Sequence, residues 1–525
     1  MIAILLICSL LAPLLWHGQR EVQASTDQYG FSTETPPDFK ANDGKNPYGN
    51  GYTALNPVME PFVFQSSGGS MSVDYWNNGN PKNGVTSGNK VSIASRSSQC
   101  GADFVSSQAY DPDGKGHDYM VAMVGLQSGS VVVWSYNTRT RRQGSDYVFH
   151  MSGHDSDWFG SIDQWEYTGF FTLTAGDFDG DGDDEIAVYV PQRGGPFVRI
   201  LRDTGNGNFA QVGRDIRYDE FMSGANVSGT FEDNGKTERA MVQASLDAAD
   251  LDRDGKDELV MVGSFANLHE DKDTKPITSR SSSLAIYKQD GSSNMQRQSD
   301  FKLNDGSSIY MRTASCSAGD IDYDGFPEIV AAGYFSGADD SDSLDGDEFA
   351  ITSIDYNPNI GRYSKGNVQK VEMNNFVDDG FYTSDNVQAP PALTCAAVNG
   401  RNEKEHVFLE GTMYVYNDGW EEEYTAEKYK HSDNGINGYI ISNTWMESAV
   451  AGNFDGNELG IEQVYYTSGY KQKSLSYYFY NVNVIGKSAV SRNGVTKAGD
   501  YYASLWEYVK YHNSGGDHLF VSLAA

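Results

Sequence analysis

The sequence predicts an all-β fold: a β-propeller of four-stranded blades, with seven blades as the reading that accounts for all of its repeats. Three observations lead there. The chain of 525 residues carries 56 glycines, 33 tyrosines and 25 phenylalanines, a turn-rich and aromatic composition that suits many short strands. An acidic nine-residue loop recurs, each time between short β-branched or aromatic runs. The loops begin at 111, 177, 250, 320, 399 and 453, and intervals of roughly 55–80 residues fit a four-stranded unit with insertions rather than a solenoid coil.

Residues 1–24 have the pattern of a secretory signal. Ile2 to Trp16 is an apolar core too short and proline-broken to span a bilayer, and Val22-Gln23-Ala24 is a small-residue cleavage site. No later stretch holds 18 consecutive apolar residues, so no membrane insertion is expected. Residues 25–58, rich in Gly, Asn, Pro and Asp, form an irregular arm, and residues 59–525 form the propeller. Three strand-like runs open it, Pro61 to Gln65, Met71 to Trp76 and Lys90 to Ala94. Cys100, Cys316 and Cys395 remain after the signal. The last two lie four residues before their loops and read as small buried hydrophobes in equivalent strands, with a disulfide left open.

The loop that defines the repeat is Asp177 to Glu185, D-F-D-G-D-G-D-D-E. Asp177, Asp179 and Asp181 stand at positions 1, 3 and 5, Gly182 at 6 permits a sharp turn, and Glu185 closes at 9. So many hard oxygen donors favour Ca2+ over zinc or magnesium. Asp250, Asp252, Asp254, Gly255 and Glu258 repeat the pattern, as do Asp320, Asp322, Asp324, Gly325 and Glu328. Position 7 is Asp183, Lys256 or Phe326, a variety that only a main-chain carbonyl ligand tolerates. A closing Glu at 9 with strands on both sides separates this loop from an EF-hand, which closes at 12 between helices. Asn453, Asp455 and Asn457, with Glu462 closing a longer loop, form a fourth, weaker site. Two worn copies should hold no metal. Asp111 to Tyr119 has Lys115 at position 5 and Tyr119 at 9; the copy starting at Asn399 has Arg401 at 3 and Val407 at 9.

These loops resemble the FG-GAP repeats, also called VCBS repeats, of secreted bacterial proteins and of the integrin α-subunit N-terminal propeller. The resemblance rests on three full loops and one partial one, and its spacing covers residues from about 100 to 525. The family implies a calcium-stiffened propeller, commonly seven-bladed, and no single activity. The final run, Phe520 to Ala525, matches the strand that precedes each loop. Either a further loop follows it, or it closes the ring by pairing with the three N-terminal runs.

A calcium loop between strands 1 and 2 of a blade sends loops 2–3 and 4–1 to the opposite face. The long insertions fall there: His150 to Thr168, Arg214 to Glu238, Asn267 to Arg280, Ser336 to Glu348 and Phe376 to Pro391. Varied loops on a rigid scaffold are where binding specificity sits. In the first insertion Trp158 and Trp165 stand among Asp155, Asp157 and Asp163, flat faces for sugar rings beside carboxylates for hydroxyls; packing between blades is the competing role of the tryptophans. With 72 Asp and Glu against 39 Lys and Arg, the net charge of −33 repels nucleic acid and anionic lipid. No nucleophile elbow, phosphate loop, zinc signature or Cys–His pairing is legible, so no catalytic or cofactor-binding residue is assigned. The expectation is a secreted or cell-surface binding and adhesion module for an extracellular glycan or protein. Its alternative is a carbohydrate-active enzyme, a polysaccharide lyase or glycoside hydrolase, built on the propeller.

Overall fold

The computed structural model describes residues 62–67, 70–76, 90–96, 105–114, 120–127, 130–137, 140, 142–149, 172–190, 196–217, 237–269, 277–304, 311–335, 348–372, 391–400, 403–425, 441–454, 459–472, 477–492, 495–512 and 519–524. All strand pairs among them are antiparallel and fall into seven sheets. Six sheets follow in chain order. The first is built on Val105–Tyr110, Met120–Gln127 and Ser130–Asn137, and the second on Thr172–Gly176, Glu185–Val190, Phe197–Asp203 and Phe209–Arg217. The third spans 237–302, the fourth 311–372, the fifth 393–425 and the sixth 441–512. In the seventh, Leu519–Ala524 pairs with Phe62–Ser67, from Phe62 opposite Ala524 to Ser67 opposite Leu519. Ser70–Trp76 and Lys90–Arg96 continue that sheet outward. Pairing of the final run with the three N-terminal runs is therefore present.

Each sheet is a meander in which neighbours in sequence are neighbours in space, the economical result of short hairpin connections. The first strand of each sheet adjoins the first strand of the next, and Leu519–Ala524 adjoins both Ile441–Gly452 and Val105–Tyr110. This is the arrangement of a β-propeller, with first strands innermost and fourth strands at the rim.

The core lies between sheets rather than within one. Glu185–Val190 is buried at every residue, which explains why it reads as a continuous apolar run instead of an alternating one. Its period of two splits it between neighbours. Ile186, Val188 and Val190 pack with Tyr110, Met120 and Val133 of the first sheet, while Ala187 and Tyr189 pack with Leu246, Leu259 and Met261 of the third. The same sharing recurs between third and fourth, fourth and fifth, and fifth and sixth sheets. Cys316 and Cys395 are buried free thiols, filling such interfaces as small apolar groups. They are not equivalent in their strands. Gly319 precedes its loop opposite Glu328, whereas Ala396 does so opposite His406, which puts Cys395 nearer its loop than Cys316.

Candidate metal centre

The three acidic loops all join the first and second strands of their sheets. Asp177 to Asp184 links Gly176 to its partner Glu185, and the equivalent pairs are Ala249–Glu258 and Gly319–Glu328. Gly182, Gly255 and Gly325 have φ of +94°, +86° and +93°, so position 6 needs the left-handed freedom of glycine. Position 4 is left-handed as well, at Gly180, Arg253 and Tyr323. The turn holds itself open with its first carboxylate. The Gly182 N–H donates to Asp177 Oδ2 (2.9 Å), Gly255 to Asp250 Oδ2 (2.9 Å) and Gly325 to Asp320 Oδ2 (3.0 Å). At position 9 the buried Glu258 and Glu328 each accept the N–H of position 2, from Leu251 and Ile321, both at 2.9 Å.

Carboxylates thereby converge. Oxygens of Asp177, Asp179 and Glu185 lie within 4.8 Å of one another, as do those of Asp250, Asp252 and Asp254, and those of Asp320, Asp322 and Glu328. Each is an all-oxygen donor set fit to hold a metal ion. Burial raises the closing acids far above the usual carboxylate range, Glu185 and Glu258 to about 8 and Glu328 to about 9; neighbouring acids push the same way. Buried oxygens of Glu185 (Oε2), Asp320 (Oδ1) and Glu328 (Oε1) have no hydrogen-bond partner, as expected where a cation completes the site. The side chains at position 7 are turned elsewhere. Phe326 packs on Tyr356 and beneath the Arg253 guanidinium, 5.2 Å from its ring centre, and Lys256 lies against Gly180 of the preceding loop.

Residues 170–209 match the FG-GAP repeat family. The chain contains an FG-GAP repeat. No curated protein matches the sequence. Among solved structures, a Lactobacillus plantarum protein is similar at 7% identity and a TM-score of 0.36, over 84% of this chain and 95% of that one. A Bacillus licheniformis rhamnogalacturonan lyase gives 14% and 0.32 over 78% and 84%. An Aleuria aurantia lectin in complex with α-methyl-L-fucoside gives 9% and 0.36 over 79% and 97%.

Strand pairing also fixes the worn copies of the acidic loop, and here the structure departs from the sequence reading. In the fifth sheet His406, not Val407, faces the residue before the loop, so the loop starts at Ala397 rather than Asn399. In the sixth, Gln463 faces Gly452, and its Oε1 accepts the Phe454 N–H at 2.9 Å, as the closing Glu does elsewhere. Glu462 therefore does not close that loop. Its buried carboxylate accepts the Ala397 N–H (2.8 Å) of the fifth sheet. In the first sheet the closing residue is Met120, the tenth from Asp111, and not Tyr119. Asn453 lies where it was expected, at position 1, and is buried. Asp455 and Asn457, like Asp155, Asp157, Trp158 and Trp165, lie outside the described residues.

Glu462 exposes a second set of residues that the spacing rule missed. In four of these loops the residue directly before the closing one reaches back to position 1 of the preceding sheet, while the loop closed by Glu328 has Pro327 there, with no N–H to donate. Asp184 N–H donates to Asp111 O while its carboxylate accepts the Asp111 N–H; Asp257 does the same with Asp177, and Glu462 with Ala397. Glu405 N–H donates to Asp320 O. These acids form clips between blades and add nothing to the metal clusters. Their trace in the sequence is an acid directly before the closing residue, hidden because the whole loop is acidic. The fifth loop has become a different joint: His406 Nε2 lies 2.6 Å from Glu423, which also receives Lys487 Nζ (3.0 Å) and the Tyr501 hydroxyl (2.9 Å) from the sixth sheet.

Proposed function

We propose that this chain is a secreted or cell-surface binding module, a seven-bladed propeller whose acidic loops take Ca2+ at Asp177–Glu185, Asp250–Glu258 and Asp320–Glu328, and whose opposite face engages an extracellular glycan or protein. One observation carries the reading. All three acidic loops join first to second strands and therefore sit at one end of their blades, each tied to a neighbouring blade by a main-chain clip. The strand ends bordering 150–171, 218–236, 270–276, 336–347 and 373–390 lie at the other end. A stiffened face opposite a face of long connections is the division expected of a scaffold that presents binding loops. Ca2+ fits the donor sets because they are entirely oxygen and nearly all carboxylate.

A glycan array probed with calcium and again with excess chelator tests the proposal. Binding that weakens on chelation is the expected result. Absence of binding together with product release from a polysaccharide would overturn it in favour of a lyase or hydrolase. The metal is tested separately, since mutual repulsion of the carboxylates should lower the melting temperature on chelation and added calcium should restore it. An unchanged melting temperature in excess chelator would remove calcium from the account.

A further inference from the structure

The three complete loops differ in what the third strand places beside them. The closing Glu185 is paired across the sheet with Arg202. One residue beyond the pairs Leu259↔Tyr287 and Ile329↔Ile354, the antiparallel register sets Glu258 opposite Lys288 and Glu328 opposite Asp355. The same structural position is thus a guanidinium, an ammonium and a carboxylate. Arg202 reaches into its loop, with Nε donating to Glu185 at 2.6 Å, Nη1 3.6 Å from Asp181, and Nη2 on Asp179. Lys288 Nζ lies 2.7 Å from Asp252, 2.9 Å from Asp254 and 2.7 Å from Glu258.

At the third loop no ion pair reaches Asp320, Asp322, Asp324, Glu328 or Asp355 among the described residues. Two cations lie nearby without pairing to these carboxylates: the Arg253 guanidinium stacks over Phe326 and against Gly325 of the loop, and Lys404, whose charge acts on Asp322 from a distance, donates to Tyr416 O and Asn417. Glu328, 3% exposed, keeps Oε1 without a hydrogen-bond partner while lying within 4.8 Å of the Asp320 and Asp322 oxygens. The negative charges of Asp322 and Asp324 act on Asp355. The worn loops sharpen the contrast. Where the closing residue is Met120, His406 or Gln463, the third-strand position is Asn137, Val415 or Gly486. Among the described residues of these six loops, a charged side chain at this third-strand position occurs only beside a closing Glu.

We propose that the Asp320–Glu328 loop, extended by Asp355, is the principal divalent-cation site of the chain, and that Arg202 and Lys288 serve the other two loops as built-in counter-ions against which a metal must compete. This rests on the reading that the FG-GAP loops take calcium, and it replaces three equal sites by a hierarchy. A side-chain cation already bonded to the ligand oxygens must be displaced before a metal enters, whereas a fifth carboxylate raises the charge that a hard cation meets; ligand charge is what tunes such sites.

The test is calorimetric titration of Ca2+ into the chelator-treated full chain and its variants. Wild type should show one site at least tenfold tighter than the rest. Asp355→Asn should weaken that site at least tenfold. Arg202→Gln and Lys288→Gln should each add one tight site, while Lys288→Arg, which retains the charge, should add none. Asp355→Lys gives an independent readout, losing the tight site and melting above wild type in chelator because its own ammonium replaces the metal. Three equal sites insensitive to Asp355→Asn, or an unchanged number of tight sites in both glutamine variants, would overturn the hierarchy and leave the calcium reading standing. No binding by wild type or any variant would overturn both.

Discussion

Glu410 offers a sharp test of how this fold tolerates buried charge away from the acidic loops. It lies in the tight turn between the second and third strands of the fifth sheet, where Glu410 and Gly411 have φ of +46° and +89°. The turn folds its side chain inward, so that the Ala392 N–H donates to Oε1 at 2.7 Å while Oε2 has no hydrogen-bond partner. Burial pushes the carboxyl up to about 8 from its ordinary 4.5, against the single backbone hydrogen bond that lowers it. A group raised in the folded state stabilises fully below its unfolded value and loses that contribution as pH climbs through its folded one. Between pH 5 and pH 8 the loss attributable to Glu410 comes to roughly 3–4 kcal/mol. Gln at this position still accepts from Ala392 and cannot ionise. Urea unfolding in saturating calcium, with wild type and Glu410→Gln compared at each pH, isolates the residue because the other buried acids are common to both. The variant should gain on wild type by that amount as pH rises. Parallel stability profiles from pH 5 to 8 would show that the Glu410 carboxylate is solvated and refute the reasoning.

Two further outcomes follow from particular residues. Gly182→Ala meets no atom within 4 Å and suffers only from its φ of +94°, so it should cost about 1 kcal/mol. Gly176→Ala would place its Cβ 2.7 Å from Ala248 Cβ and 2.8 Å from Asp257 Oδ2 of the next blade, and should cost more, about 1–3 kcal/mol; equal melting temperatures for the two variants would contradict this. At Glu423 the hydrogen bond with His406, followed by Lys487, holds the carboxyl down to about 2. A depressed acid stabilises above its ordinary value and loses that effect as pH falls through the folded one. Glu423→Gln should therefore flatten the acid limb below pH 4.5, by on the order of 1 kcal/mol since the side chain is 34% exposed, and an unchanged limb in acid titration would count against the joint.

Much of this architecture is written locally in the chain. A carboxylate at every second position with a glycine at 6 can form one kind of turn, and the runs flanking Asp177 are strands because both of their faces are apolar. Even the three runs that join the final strand are readable as strands, since each carries β-branched or aromatic residues. What escaped the sequence is whatever depends on register across strands. Arg253 and Tyr323 adopt a left-handed backbone at position 4 with no glycine to announce it. Arg202, Lys288 and Asp355 belong to the loops only once the hairpin length is known, because a slip of one residue would turn them to the other face of the sheet. Spacing alone puts the worn fifth loop two residues late for the same reason: with its acids gone, only the pairing of Ala396 with His406 locates it.

The worn loops also separate two duties that the intact ones combine. Where the metal carboxylates are missing, the clip between blades persists. Asp111, in a loop closed by Met120, still exchanges main-chain and carboxylate hydrogen bonds with Asp184, and Ala397, in a loop closed by His406, still does so with Glu462. Each of those clips leaves no buried N–H unpaired at position 1, an omission that would cost about 1–3 kcal/mol apiece. Joining blades is thus a duty that the worn turns keep after their carboxylates are gone, whereas the carboxylate clusters fit to hold a metal ion lie in consecutive blades, the second, third and fourth, and the fourth, with Pro327 before its closing Glu328, has no such clip to the third. In two of these a side chain from the third strand can neutralise the site. In the fourth it cannot, and this is where chelation should act on the whole ring, because the Asp320 carbonyl also receives Glu405 of the next blade and any loosening of that loop passes directly into the neighbouring interface.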